Sequence, residues 1–567
     1  MLLSSTFSKQ AAEMKSVTME SNPAPDAFGA NTLLIKQLLE AGLSRSPSEE
    51  IVYGDAVRFD YTELNRRIGR LAAGLASLGA RPGDTVAVMD WDTHRYLECF
   101  FAVPMAGMVL HTVNVRLSVE QLLYTINHAK DDFILVNTEF LPMLEAIWDR
   151  VDPGKQLVLL SDAASPRETR LPIAAEYEAL LGGSNPVTAW SDLDESTRAT
   201  TFYTTGTTGL PKAVYFSHRQ LVLHTLASRA ALAGPGAGRF NHDDVYMPVT
   251  PMFHVHAWGL PYLATMLGVK QVYPGRYVPD RLLALFEREK VTFSHCVPTI
   301  LQMMLDSAAA RGQRLDGWTV VIGGAALAQS LAKAAMGRGV DVFAGYGMSE
   351  TGPILTLAQP RSANSGAPTD EEVTARCHAG WAIPFVQLRV VDEAMKDLPR
   401  NGSSAGELVA RSPWLTQSYL GDPQASQALW RGGWLHTGDI AVMDPDGCVR
   451  IVDRLKDVIK TGGEWVSSLQ LEDILLKHPQ VREAAVIGIP DPRWSERPAA
   501  IVVLTADAVP DADAIRAHVK QFADAGAISR FAIPQEVTFV DSLPKTSVGK
   551  LDKKLMRAQQ AQIEGAV

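Results

Sequence analysis

Cysteine is scarce in this chain: there are four in 567 residues, at Cys99, Cys296, Cys377 and Cys448. They lie too far apart for a CxxC metal knuckle, and a disulfide framework in so long a chain would need more of them. Reduced thiols in a cytoplasmic protein are expected. Also missing is any run of ~18–20 uninterrupted apolar residues, the length a membrane helix requires. Met1 to Asp26 lacks the apolar core of a secretory signal and reads as a loose tail, and Glu13 and Glu20 argue against a mitochondrial address. Positive charge is not in excess either. A net charge of -10 leaves no basic surplus to displace counterions from a polyanion, so nucleic acid is set aside as a partner. Neither an internal repeat nor a low-complexity segment stands out. What is present is an ordinary globular composition, 46% apolar and 20% charged. The chain exceeds the ~250–300 residues at which single cores stop growing, so two or more domains are expected.

Leu64, Ile68, Leu71, Leu75 and Leu78 share one face of a 3.6-residue period, and Gly79 follows where a helix would stop. The spacing predicts a helix over 61–78, packed on a sheet. Short apolar runs at 85–89, 133–136, 157–160 and 319–322 alternate with helical patterns, which predicts a largely parallel α/β sheet. After about Gly380 the texture changes to short alternating runs, 386–391, 406–410 and 440–443, divided by Gly, Pro and Asp. That is a small β subdomain over about 380–453. Asp444-Pro-Asp-Gly447 is turn chemistry, with 449–452 as its return strand. Past a boundary at 453–456 a second α/β unit begins, with strands near 484–487, 500–503 and 537–540 and a helix near 513–522.

The stretch Thr201-Phe-Tyr-Thr-Thr-Gly-Thr-Thr-Gly-Leu-Pro-Lys-Ala213 gathers threonines, two glycines and a lysine. It departs from the GxxxxGK[ST] phosphate loop: Lys212 follows Pro211, Ala213 stands where the magnesium-binding hydroxyl would be, and 214–216 continues as an alternating strand. The loop is thus expected in a hairpin, not at a helix start. Gly206 and Gly209 would let backbone amides approach a phosphate, the threonines supply hydroxyls and Lys212 supplies charge. A plain Gly/Thr turn would explain these thirteen residues as well. Four further stretches agree with the phosphate reading. In Gly345-Tyr-Gly-Met-Ser-Glu350, after a strand, Tyr346 could face a purine and Glu350 could hold magnesium. In Gly433-Trp-Leu-His-Thr-Gly-Asp439 one carboxylate could accept both ribose hydroxyls. The other two are Asp453-Arg-Leu-Lys-Asp-Val-Ile-Lys-Thr-Gly-Gly-Glu-Trp465 and Pro544-Lys-Thr-Ser-Val-Gly-Lys550.

In this order and spacing the five stretches resemble the adenylate-forming superfamily of acyl-CoA synthetases, adenylation domains and beetle luciferases, over roughly residues 30 to 556. Val249-Thr-Pro-Met-Phe-His-Val-His-Ala-Trp258 and Gly462-Gly-Glu-Trp465 look most like the bacterial medium- and long-chain fatty-acyl-CoA synthetases, with methylthiopropionate-CoA ligases nearly as similar. The resemblance implies a large N-terminal domain over 27–453 that includes a β-barrel-like subdomain. It also implies a hinge at 454–456 and a small mobile α/β lid over 457–567. The implied substrates are ATP, CoA and a carboxylic acid, with Mg2+; relatives are commonly dimers, so a homodimer is implied, and the implied reaction is acyl-adenylate formation followed by thioester formation.

Residue by residue, the resemblance gives the ATP and AMP site as Thr204, Thr205, Gly206, Thr207, Thr208, Gly209, Lys212, Gly324, Gly345, Tyr346, Ser349, Asp439, Arg454, Lys456 and Lys460. Thr204 and Glu350 would bind the metal, Lys550 would act on the carboxylate and α-phosphate, and Lys456 would be the pivot. Gly462, Gly463 and Trp465 would border the CoA channel. His254, Val255, Trp258 and Gly324 would line the acyl pocket. No carboxylate occurs over 251–258 to pair with an amino-acid ammonium, so an uncharged acyl tail fits better. His256 stands where close relatives often carry Asn and is expected beside the acyl entry. A luciferase-like oxygenase and a carrier-protein-loading module are the alternatives within the superfamily.

Overall fold

The structure, a computed structural model, describes residues 32–162, 168–204, 210–233, 239–358, 369–461, 464–506, 508–546 and 550–564. Met1 to Asp26, the loop 205–209 and Gly462-Gly463 therefore lie outside the described residues.

The run Thr85–Met89 and its neighbour Phe133–Asn137 are buried on both faces, as strands in the middle of a parallel sheet must be. They belong to a seven-stranded sheet ordered Ile173–Glu176, Gln156–Leu160, Phe133–Asn137, Thr85–Met89, Val109–Thr112, Arg198–Thr204, Lys212–Ser217. All neighbours are parallel except the last pair. A second sheet of nine strands has a parallel centre that includes Phe293–Cys296, Thr319–Ile322 and Asp341–Gly347, flanked by antiparallel edges. Helix His94–Met105 is buried along its whole length, in a core that joins both sheets through Val86, Leu135, Ile51 and Phe343.

Helix Tyr61–Ser77 begins where the Asp60 side chain accepts from the Glu63 amide and buries Leu64, Ile68, Leu71 and Leu75. Gly79, at φ 98°, takes the left-handed conformation that stops it. Strands Gln387–Val391, Gly406–Arg411, Leu435–Met443 and Val449–Arg454 form an antiparallel meander. Its last turn closes through the Gly447 amide on the Asp444 carbonyl, 2.9 Å. A separate sheet follows, built on the long antiparallel pair Val481–Asp491 and Ser495–Leu504, with Glu536–Phe539 parallel beside it. It has its own apolar clusters, one around Val486 and Val519 and one around Ile487 and Met556. Helices Ser468–Leu475, Ala512–Asp524 and Lys553–Glu564 accompany it. Among the described residues no helix is long and apolar enough to cross a membrane.

Candidate adenylate site

Ligands of open α/β sheets collect outside the carboxyl ends of the strands. Here Gly324, just past Thr319–Ile322, and Gly345 to Gly347, at the end of Asp341–Gly347, border one cleft, and Thr204 is the corresponding end of a strand in the seven-stranded sheet. The hairpin is observed, with Thr204 opposite Lys212. Lys212 Nζ lies 4.7 Å from the centre of the Tyr419 ring, and the Tyr419 hydroxyl donates to Glu350 Oε1 at 2.6 Å. Glu350 is buried, and its carbonyl accepts from the Thr416 amide at 2.9 Å. Lysine, aromatic ring and carboxylate are thereby stacked beside the strand end that carries Thr204. Tyr419 was not legible as a site residue; its only sequence signal is the turn Gly421-Asp422 behind it. Ser349 is half-buried at the start of the short 3-10 turn Ser349–Thr351 that also carries Glu350.

On the other side, the Tyr346 hydroxyl donates to Asp439 Oδ2 at 2.6 Å, and Arg454 Nε stands 3.3 Å from Asp439 Oδ1. Asp439 and Arg454 are also cross-strand partners, which fixes this pair by register. Burial first, and then the Asp439 charge, push the Tyr346 phenol well up, so it stays a donor. Gly345 is not beyond the strand, as its sequence position suggests, but inside it. A Cβ there would meet Leu357 at 3.0 Å and Val321 at 3.2 Å.

The Gly323-Gly324 step joins the two halves. A Cβ on Gly323 would lie 2.9 Å from the Trp258 indole, and one on Gly324, at φ 77°, would lie 3.3 Å from Lys550 Cε. Adjacent glycines thus make room for an aromatic wall on one side and an ammonium on the other. Desolvation lowers the Lys550 pKa to about 8, with the neighbouring Arg454 pushing the same way and Asp439 and Glu350 opposing. Gly324, Tyr346, Asp439, Arg454, Lys456 and Lys550 border one cleft of about 1470 Å³. Its size, glycine floor and mixed charges suit a nucleotide. Lys456 is exposed; Lys460 is exposed too, with Nζ 5.7 Å from the Trp465 ring, itself 49% exposed.

The acyl-pocket residues take an unusual path. Val255, His256, Ala257 and Trp258 all have left-handed φ, between 46° and 60°, and Gly259 follows at 74°. Such a conformation costs roughly 1–2 kcal/mol per non-glycine residue, and it is met chiefly by Asn, Asp and His among side-chain-bearing residues. The entry is clamped: the Met252 amide donates to Asp92 at 2.8 Å, and the Thr112 hydroxyl to the Phe253 carbonyl at 2.9 Å. His256 stands two residues before Trp258, with its side chain turned into the core. Its ring is fully buried among Phe100, Phe202, Phe216 and Tyr262, with no hydrogen bond on either nitrogen. An Asn at that position in relatives would meet the same backbone demand. His254 is half-buried, and Trp258, 5% exposed, packs against His295 at 5.0 Å between ring centres.

Burial pushes His224, His256 and His295 down to about 3; it does the same to His254, with Lys550 and Arg116 adding their repulsion. These side chains are neutral in the folded protein and take up protons on unfolding. Their contribution is intact above the unfolded value of ~6.5 and is lost as pH falls toward 3, at up to ~1.4 kcal/mol per pH unit for each group. The thermal midpoint is therefore expected to fall steeply between pH 6.5 and 5, and His256→Asn should flatten that fall by about one proton's worth. A midpoint flat from pH 7.5 to 5 would contradict this.

The profile of the family described as AMP-binding enzyme matches residues 39–420, and that of the AMP-binding enzyme C-terminal domain matches residues 470–550. A long-chain-fatty-acid–CoA ligase of Thermus thermophilus is 39% identical over 545 residues, covering 95% of this chain and 97% of its own. A 3-methylmercaptopropionyl-CoA ligase of Ruegeria lacuscaerulensis is 38% identical over 536 residues, covering 93% and 97%. In fold, the crystal structure of the anthranilate CoA ligase AuaEII with anthranoyl-AMP superposes with a TM-score of 0.82 at 22% identity, over 96% of this chain and 100% of that one. Motifs, fold and end-to-end relatives agree, and the chain belongs to the AMP-binding enzyme family, within the adenylate-forming superfamily.

Proposed function

We propose that the protein is an ATP-dependent, AMP-forming acyl-CoA ligase acting on a fatty or related aliphatic acid. The carboxylate oxygen attacks the α-phosphorus of ATP and pyrophosphate departs. The CoA thiolate then attacks the acyl carbon and AMP leaves with the bonding electrons. The observation that carries this reading is the Gly323-Gly324 step, which sets the Trp258 indole and the Lys550 side chain on adjacent residues of one strand end. An acid whose tail lies along the tryptophan would present its carboxylate to the lysine.

Lys550 would balance charge on the carboxylate and α-phosphate, and Lys212 charge on the departing phosphates. Asp439, held between Tyr346 and Arg454, offers its oxygens to the ribose. Thr204 and Glu350 would hold the magnesium ion of the nucleotide, which neutralises phosphate charge when bound. For the second step the lid, residues 457–567, would turn about Lys456, withdrawing Lys550 and bringing the Gly462 to Trp465 segment to the pantetheine arm.

An aliphatic tail is supported by the absence of a carboxylate over 251–258 and by helix Leu260–Leu267, whose side chains are almost all buried and apolar. The likeness to a 3-methylmercaptopropionyl-CoA ligase makes a short thioether acid the second reading. CoA-dependent AMP release measured across C2 to C16 acids, with methylthiopropionate and benzoate alongside, separates the two. Turnover is expected to favour an unbranched aliphatic acid. Release confined to benzoate, or requiring a carrier protein in place of CoA, would reject the reading.

A further inference from the structure

A buried polar ladder runs along the cleft wall through Asp453, Glu472 and Lys553, none of which is assigned to a substrate above. Asp453, 1% exposed, ends the meander next to Arg454. Its Oδ2 accepts from the Ser468 amide at 2.6 Å and from the Ser468 hydroxyl at 2.7 Å, while Oδ1 accepts from the Arg454 amide at 2.7 Å. Lys553 Nζ donates to Ser468 Oγ at 2.6 Å and pairs with Glu472 Oε1 at 2.7 Å. Glu472 Oε1 also accepts from the Val486 amide at 2.8 Å. Lys553 and Glu472 are both buried. The run is therefore ammonium to hydroxyl to carboxylate, with every member satisfied.

Its two ends matter. Asp453 belongs to the strand whose next residue, Arg454, pairs with Asp439 in the cleft. Lys553 opens helix Lys553–Glu564, three residues after Lys550. The chain on either side of Lys550 is tied together: the Thr546 amide donates to the Lys550 carbonyl at 2.7 Å, the Lys550 amide to Thr546 Oγ1 at 3.2 Å, and the Asp552 amide to the Pro544 carbonyl at 2.9 Å. Only Leu551 and Asp552 separate the two lysines, so displacing Lys553 pulls on Lys550. Ser468, Glu472 and Lys553 lie on the lid side of residues 454–456 and Asp453 on the other side, so within the ladder the Asp453–Ser468 contact crosses the segment, joined beside it by the Ser467 hydroxyl, which donates to the Val452 carbonyl at 2.5 Å.

We propose that Asp453, Ser468 and Lys553 are positioning residues for the adenylation step: the ladder latches the lid with Lys550 in the cleft, and its Asp453–Ser468 rung opens when the lid turns. This rests on the ligase reading above. A rung of two hydrogen bonds to a buried carboxylate is strong while closed, yet it can exchange for water on opening because Asp453 and Ser468 come from opposite sides of the 454–456 segment and would be exposed once it turns. Glu472 keeps Lys553 paired in either posture, so opening strands no cation.

Asp453→Asn and Lys553→Met are to be compared with the wild type in three measurements. Acid-dependent ATP–pyrophosphate exchange reports adenylation, and thioester formation from added acyl-adenylate and CoA reports the second step. The rate of tryptic cleavage after Arg454 and Lys456 reports lid opening without any turnover. Exchange is expected to fall about tenfold or more, with the second step unchanged or faster and hinge cleavage several-fold faster. Ser468→Ala, which removes the bridging hydroxyl and leaves both charges, repeats the test should either variant fail to fold. Parallel loss of both half-reactions, or hinge cleavage at the wild-type rate, would overturn the latch. A wild type without any acid-dependent exchange would instead retire the ligase reading, and the cleavage rates would still decide the ladder.

Discussion

Lys550→Ala is expected to lower acid-dependent pyrophosphate exchange about 100- to 1,000-fold while sparing thioester formation from added acyl-adenylate. The magnitude is that of removing one preorganised donor from a site of developing negative charge, ~3–4 kcal/mol. The selectivity follows from geometry: the Lys550 side chain lies against Gly324, in the cleft bordered by Tyr346 and Asp439, and not among the residues assigned to CoA. Its pKa adds a second arm. Desolvation and the repulsion of Arg454 bring it down to about 8, so the ammonium is mostly present at pH 7.5 and is lost above pH 8. Exchange should decline above that value, and the second half-reaction should not share the decline. Normal exchange in the alanine variant would remove Lys550 from the mechanism.

Which parts of this site could be read from sequence follows a physical line. Helix Tyr61–Ser77 was legible to within a residue because its apolar period and its Gly79 stop point the same way, and the Asp60 cap agrees with both. The hairpin at Thr204 and Lys212 was legible because residues 214–216 alternate, a pattern no helix start shows. Asp439 and Arg454 were legible as motifs, but their pairing by strand register was not. The left-handed path of Val255 to Trp258 was hidden for a different reason. Val, Ala and Trp all resist that conformation, and it is imposed by Asp92, Thr112 and the aromatic ring cage around His256, which come from distant parts of the chain. Gly323 escaped because its need for a missing Cβ arises only once Trp258 is in place. The ladder joins Asp453 to Ser468 across a predicted boundary and Ser468 to Lys553, 85 residues further on, where no local pattern can speak.

Glu350→Gln should be the second most damaging change, and it should act through magnesium. The substitution keeps the shape that the Thr416 amide and the Tyr419 hydroxyl hold in place, and removes only the charge. Glu350 is buried beside the strand end that carries Thr204, so a divalent cation there would lose an anionic ligand with little water to replace it. Adenylation is expected to fall about 100-fold at fixed magnesium, with the magnesium concentration for half-maximal exchange rising about tenfold. Tyr419→Phe provides the contrast. It frees Glu350 Oε1 from the phenol and leaves both the charge and the ring under Lys212, so its magnesium dependence should stay near wild type. If Glu350→Gln lowers exchange without shifting the magnesium curve, the carboxylate serves only to fix Tyr419 and Lys212, and the metal must be held elsewhere.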